Sequence, residues 1–148
     1  MTIYEFVDKV HKILSMTFGY TYKSSCNIDC DEYSWAFDFD PDNTKGVCPS
    51  SLIIKIFNSK SRVQKYKEGT IGLCYTSVLY HITPTGNHSL TTKSFDTYTT
   101  LTKLEKFKYE NLYKWAECQK GTYNNYTQIM KMKDIDKRLK ELNKDFVL

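Results

Sequence analysis

The 148 residues fit one domain, and a chain of that size buries enough surface to fold without disulfide or metal staples. Charge is divided unevenly: residues 1–50 carry four lysines against eight acids, whereas 51–148 carry seventeen basic residues against nine acids. Such polarity points to a body with two dissimilar faces that its own field orients toward a charged partner, and it excludes a neutral, featureless surface.

Glu5, Asp8, Lys9 and Lys12 interrupt the first apolar positions, which argues against a signal-peptide core. No run approaches the roughly 18 apolar residues of a membrane span, so a cytoplasmic protein is expected. Five cysteines, an odd number, then read as free thiols in a reducing compartment, and the sequons at Asn87 and Asn125 as chance.

In chain order, Thr2 and Glu5 form a capping box. Ile3, Phe6, Val7, Val10 and Leu14 follow at helical spacing, and Gly19 supplies the stop. Two alternating runs come next, Tyr20 to Ile28 and Tyr33 to Asp40, each with the period of two of a half-buried strand. A turn over Pro41 to Gly46 leads to a third strand through Leu52, Ile54 and Ile56, and a basic connection from Asn58 to Lys67 leads to a long fourth over Thr70 to Thr83. Pro84 to Asn87 folds a shorter fifth strand back onto it. Thr102 and Glu105 repeat the capping-box spacing ahead of a helix that ends near Gly121, and a last helix carries Met132, Ile135, Leu139, Leu142 and Phe146 in steps of three and four. The fold class expected is α+β in a single domain over 1–148: an N-terminal helix, a mainly antiparallel sheet of four or five strands and two C-terminal helices on one face.

Asp29, Asp31, Glu32, Asp38, Asp40 and Asp42 are the densest cluster of candidate ligands. Asp38, Asp40 and Asp42 match the first positions of an EF-hand loop, but Asn43 and Pro49 stand where Gly and the bidentate Glu belong, so calcium is set aside. Asp38 and Asp40 read first as the solvent side of the second strand, and the segment as a whole is the candidate patch for a basic protein partner, including one that normally grips nucleic acid. Cys26, Cys30, Cys48 and Cys74 with His81 and His88 have donor types suited to zinc but no paired knuckle spacing, so neither metal nor cofactor is expected.

His81 and Thr83 make one His-x-Thr element that looks like half the signature of two-histidine phosphoesterases. His88-Ser89-Leu90 does not supply the second half, so a small phosphoesterase or metal-dependent hydrolase is only the third reading. Lys55, Lys60, Arg62, Lys65 and Lys67 are candidate phosphate contacts. Lys106 and Lys114, with Lys103 and Lys108, interleave with Phe107, Tyr109, Tyr113 and Trp115 in a mixture that suits non-specific nucleic-acid contact. The scarcity of arginine argues against base-edge reading. The seam Met132, Ile135, Leu139, Leu142 and Phe146 reads first as docked on the protein's own sheet and second as a homodimer contact, with Asp136, Arg138, Asn143 and Asp145 flanking it.

The function expected is therefore a non-enzymatic interaction protein that binds another macromolecule through charged surfaces, with a nucleic-acid-binding module as the main rival. Abundant Lys and Tyr with only two arginines resembles the usage of small proteins from low-GC phages and mobile elements, which suggests an inhibitor of a host protein.

Overall fold

The computed structural model describes residues 1–27, 32–40, 50–57 and 67–146. Thr2 caps helix α1 (Ile3–His11): its hydroxyl accepts from the Glu5 amide at 3.2 Å while the Glu5 carboxylate accepts from the Thr2 amide at 3.3 Å. A π-helical turn (Lys12–Thr17) continues it, and Gly19 at φ 78° reverses the chain where a side chain would be strained. Ile3, Phe6, Val7, Val10 and Leu14 are buried, as their spacing predicts.

Five strands follow: β1 (Thr21–Asn27), β2 (Glu32–Phe39), β3 (Ser50–Phe57), β4 (Ile71–Ile82) and β5 (His88–Thr99), paired antiparallel in the order β1-β2-β3-β4-β5. In this meander Trp35, Ile54 and Leu73 stand in one cross-strand row, and Phe37, Leu52 and Tyr75 in the next. Those rows make the face that the helices cover. Phe6, Val10 and Leu14 of the N-terminal helix and Leu104, Leu112, Ala116 and Tyr123 from the C-terminal part complete one core with them. Burial of each large apolar side chain there contributes roughly 1.5 to 3 kcal/mol.

Three expectations need correction. Tyr22, Ser24 and Cys26 of β1 do not fill the core: every described side chain of this edge strand is exposed, and Tyr20, just before it, is the buried residue, its hydroxyl bonded to Ser50 Oγ at 3.0 Å. The fifth strand is not short but 12 residues long, equal to β4, and paired with it from Ile71↔Thr99 to Ile82↔His88. It is inconspicuous in sequence because it is rich in Thr and Ser and mostly exposed, so it has little hydrophobic alternation.

The C-terminal helices are also divided differently. Thr100, not Thr102, caps a short helix α2 (Leu101–Leu104), and the Glu105 carboxylate is engaged by the N-terminal ammonium at 3.3 Å. Phe107 packs edge-on against Phe6 and Tyr109, holding the chain out of helical continuity until α3 begins. Helix α3 (Tyr109–Phe146) then runs through Gly121 without a break, 38 residues or about 57 Å at 1.5 Å per residue.

Candidate functional site

β3 pairs with β4 only as far as Thr76, so Ser77–Ile82 would leave an open edge toward it. Helix α3 closes the start of that edge. Buried Gln119 accepts a hydrogen bond from the Val78 amide at 2.6 Å, and Trp115 Nε1 donates to Ser77 Oγ at 3.0 Å. Leu112, Ala116, Gln119 and Tyr123 are the buried side of α3, and Tyr126 meets Tyr80 edge-on at 6.4 Å.

Past residue 130 the same helix changes character. Every residue from Lys131 to Phe146 is exposed, and Met132, Ile135, Leu139, Leu142 and Phe146 are 53 to 81% exposed. The seam is therefore not docked on the protein's own sheet. At 3.6 residues per turn, the direction of Leu112, Ala116, Gln119, Tyr123 and Tyr126 and that of the seam differ by roughly 160° around the axis. The tail, about 24 Å long, thus turns its apolar stripe away from the side that lies on the sheet. Lys133, Lys137, Lys140 and Lys144 take over the sheet side, on average roughly 50° from its direction. A stripe so directed cannot be covered by continuing the contact that α3 already makes.

At the other end of α3 a groove of about 650 Å³ opens between β4, β5 and the α2–α3 junction. Its floor is aromatic: Tyr75 and Phe95, directly opposite in the β4–β5 register, stack at 5.0 Å with rings 10° from parallel, and Trp115 stands edge-on to Tyr75 at 5.2 Å. Burial pushes the Tyr75 phenol up to about 12, so it stays neutral. Lys103, Lys106 and Lys108 are the charged residues among those lining the groove, all exposed, and none has an ion-pair partner among the described residues.

The remaining candidates are scattered. Of the acidic segment, Asp29, Asp31 and Asp42 lie outside the described residues. Glu32 is half-buried and paired with Lys55 at 3.4 Å, which withdraws both from the roles expected of them. Asp38 is half-buried on the helix-free face of β2, where burial holds its carboxyl above the usual range, partly offset by Lys23. Lys60, Arg62 and Lys65 also lie outside the described residues, Lys67 is exposed, and Lys114 is paired with Glu110 at 3.2 Å. Of the lysines named for phosphate or nucleic-acid contact, Lys106 joins the groove together with Lys103 and Lys108.

Cys74 sits beside Asp96, and burial first, then that carboxylate, push its thiol up to about 11, so it is a poor ligand or nucleophile. Cys26 is on the distant edge strand, Cys30 and Cys48 lie outside the described residues, and no cluster of three metal-ligating side chains occurs among the described ones. His81 is paired across the ribbon with Ser89, and His88 with Ile82, so the two imidazoles project from opposite faces. His88 Nδ1 bonds the Tyr80 hydroxyl instead.

Sequence reading found the seam and the lysine-aromatic run 103–115 but missed what each adjoins. Comparing the phase of Leu112, Ala116 and Gln119 with that of Leu139 and Leu142 would have exposed the change of face. The β5 wall of the groove had only Phe95 among threonines to announce it. No helix is long and apolar enough to cross a membrane among the described residues. Comparison with protein-family models, curated proteins and solved structures finds no match to this chain.

Proposed function

We propose that this chain is a non-catalytic interaction protein that assembles through the projecting end of α3, packing its stripe against an amphipathic helix of a protein partner. The observation that carries the reading is the turn of the apolar stripe away from the body, which leaves five large side chains exposed in coiled-coil spacing on a helix already anchored at its other end. Anchoring matters, because a free helix of this length is marginal in water, whereas this one is nucleated and held by the core.

A second copy is the partner whose flanks fit. With Met132, Leu139 and Phe146 at heptad position a and Ile135 and Leu142 at d, a parallel pair sets Lys131 opposite the partner's Asp136 on both sides and brings no like charges together. One antiparallel register faces Arg138 with its own copy and Asp136 with its own copy, whereas the register one heptad along sets Arg138 opposite Asp145 of the second copy, so charge-swap variants decide the orientation. An adaptor or inhibitor acting on a host macromolecule is the biological form of this reading that the composition favours.

Sedimentation of charge-swap variants tests it. Lys131→Glu weakens the dimer, and adding Asp136→Lys restores it in the parallel register. Rescue by Asp145→Lys instead indicates the antiparallel one. A wild type that remains monomeric at about 100 µM, far above a micromolar dissociation constant, contradicts self-assembly.

A further inference from the structure

We infer that the groove between β5 and the α2–α3 junction is a binding site for single-stranded nucleic acid, independent of the helix stripe. Two observations converge on that chemistry. The floor offers planar faces: Phe95 is 47% exposed, its ring backed by stacked Tyr75, and Tyr75 is in turn braced by Trp115, whose indole is fixed by Ser77. A ring held from behind and open in front is what an unstacked base needs, and it accepts any base because each has a π-face.

The rim offers charge. Lys103, Lys106 and Lys108 line the groove without a carboxylate among the lining residues and without an ion pair among the described ones, so their field is uncompensated where a phosphate chain would run. The short α2 helix and the turn that Phe107 anchors carry these three lysines, and all three line the groove.

The volume, about 650 Å³, falls in the ordinary range for a ligand cleft, roughly 300 to 1,000 Å³. Duplex is disfavoured because its bases are stacked inside and cannot reach Phe95. Lysine point charges without arginine forks suit backbone tracking rather than sequence reading. Binding is therefore expected to be sequence-tolerant and strongly salt-dependent.

The test is fluorescence anisotropy with labelled oligothymidine and oligouridine of about a dozen nucleotides, the length scale of single-strand sites. Unlabelled duplex, inorganic polyphosphate and thymidine monophosphate serve as competitors. The expected result is competition by single strands but not by duplex, with log affinity falling against log salt at a slope near −2, as three phosphate contacts on a single strand require. Phe95→Ala, at an exposed position that leaves the core intact, weakens binding about tenfold. Replacing Lys103, Lys106 and Lys108 with Gln flattens the salt slope while the melting temperature stays put. Polyphosphate competing as well as the oligonucleotide, with Phe95→Ala without effect, overturns the proposal by reducing it to general polyanion attraction. Thymidine monophosphate binding as tightly as the strand overturns it in favour of a nucleotide pocket, and retention of binding by both sets of variants overturns the site.

Discussion

The two ends of α3 belong to one unbroken helix and obey opposite rules. Between Tyr109 and Tyr126 the helix is a core element: Leu112 and Ala116 are buried and Gln119 closes a strand edge. Between Lys131 and Phe146 every residue is exposed, with only Met132 lining a cleft beside Tyr80, and the apolar side faces the other way. Averaged over the whole helix the two stripes cancel, so a helix that looks weakly amphipathic overall is strongly amphipathic twice. The lesson is that amphipathic direction must be read in segments, because a change of phase within a helix marks a change of partner.

Substituting the same charge into each half separates the two regimes most sharply. Leu112→Asp buries an unpaired carboxylate under the sheet and is expected to destabilise by more than about 4 kcal/mol, enough to leave little folded protein by circular dichroism. A cooperative melt near the wild-type temperature would show that the helix does not depend on that contact.

Gln119→Leu keeps the size of the side chain and removes the acceptor for the Val78 amide. A loss of about 1 to 3 kcal/mol in urea unfolding is expected, the cost of a buried donor left without a partner. No loss would mean that α3 does not seal the β4 edge.

Alkali probes the tyrosines on which the body half rests. Burial pushes Tyr20 up to about 12, against a smaller lowering by its bond to Ser50, and pushes Tyr75 up to about 12. Because the folded chain holds these protons more tightly than the unfolded chain, their contribution is fully present below about pH 10 and is lost as pH rises toward 12. The loss is roughly 2 kcal/mol for each. Tyr75→Phe should remove its share of the alkaline decline, and an unchanged decline would place the effect elsewhere.

The smallest effect lies between the halves. Gly121 sits mid-helix with open space where a Cβ would project, so Gly121→Ala is expected to raise stability by about 0.5 to 1 kcal/mol in thermal unfolding. A destabilised variant would show that the glycine is needed where it stands.

Much of this architecture was legible because single residues carried unambiguous local physics. Thr2 and Glu5 fixed the first helix, Gly19 its end, and Trp35, Phe37 and Ile54 the core rows, so the α+β class followed. What failed did so where tertiary contact overrode local signal. Gly121 reads as a stop, yet tertiary contacts hold the helix on both its sides, at Ala116 and Tyr123. Tyr22 alternates correctly, but on the edge strand it meets only the end of α1, edge-on to His11 at 5.1 Å, and stays 43% exposed. The groove was half legible, since Lys106 and Phe107 were found in sequence while Phe95 came from a strand whose threonines hid it.

The central claim is that the tail of α3 is an interface rather than a part of the core, and Leu139→Asp tests it most directly. Leu139 is 53% exposed in the free chain, so the charge is buried only if a partner covers it. Sedimentation and thermal melting of wild type and variant at the same concentration give the answer. The account predicts a wild-type dimer and a Leu139→Asp monomer with native circular dichroism, whose melting temperature matches that of the wild type diluted to monomer. A wild type that is already monomeric, or a variant that loses several kcal/mol of stability as a monomer, would contradict it.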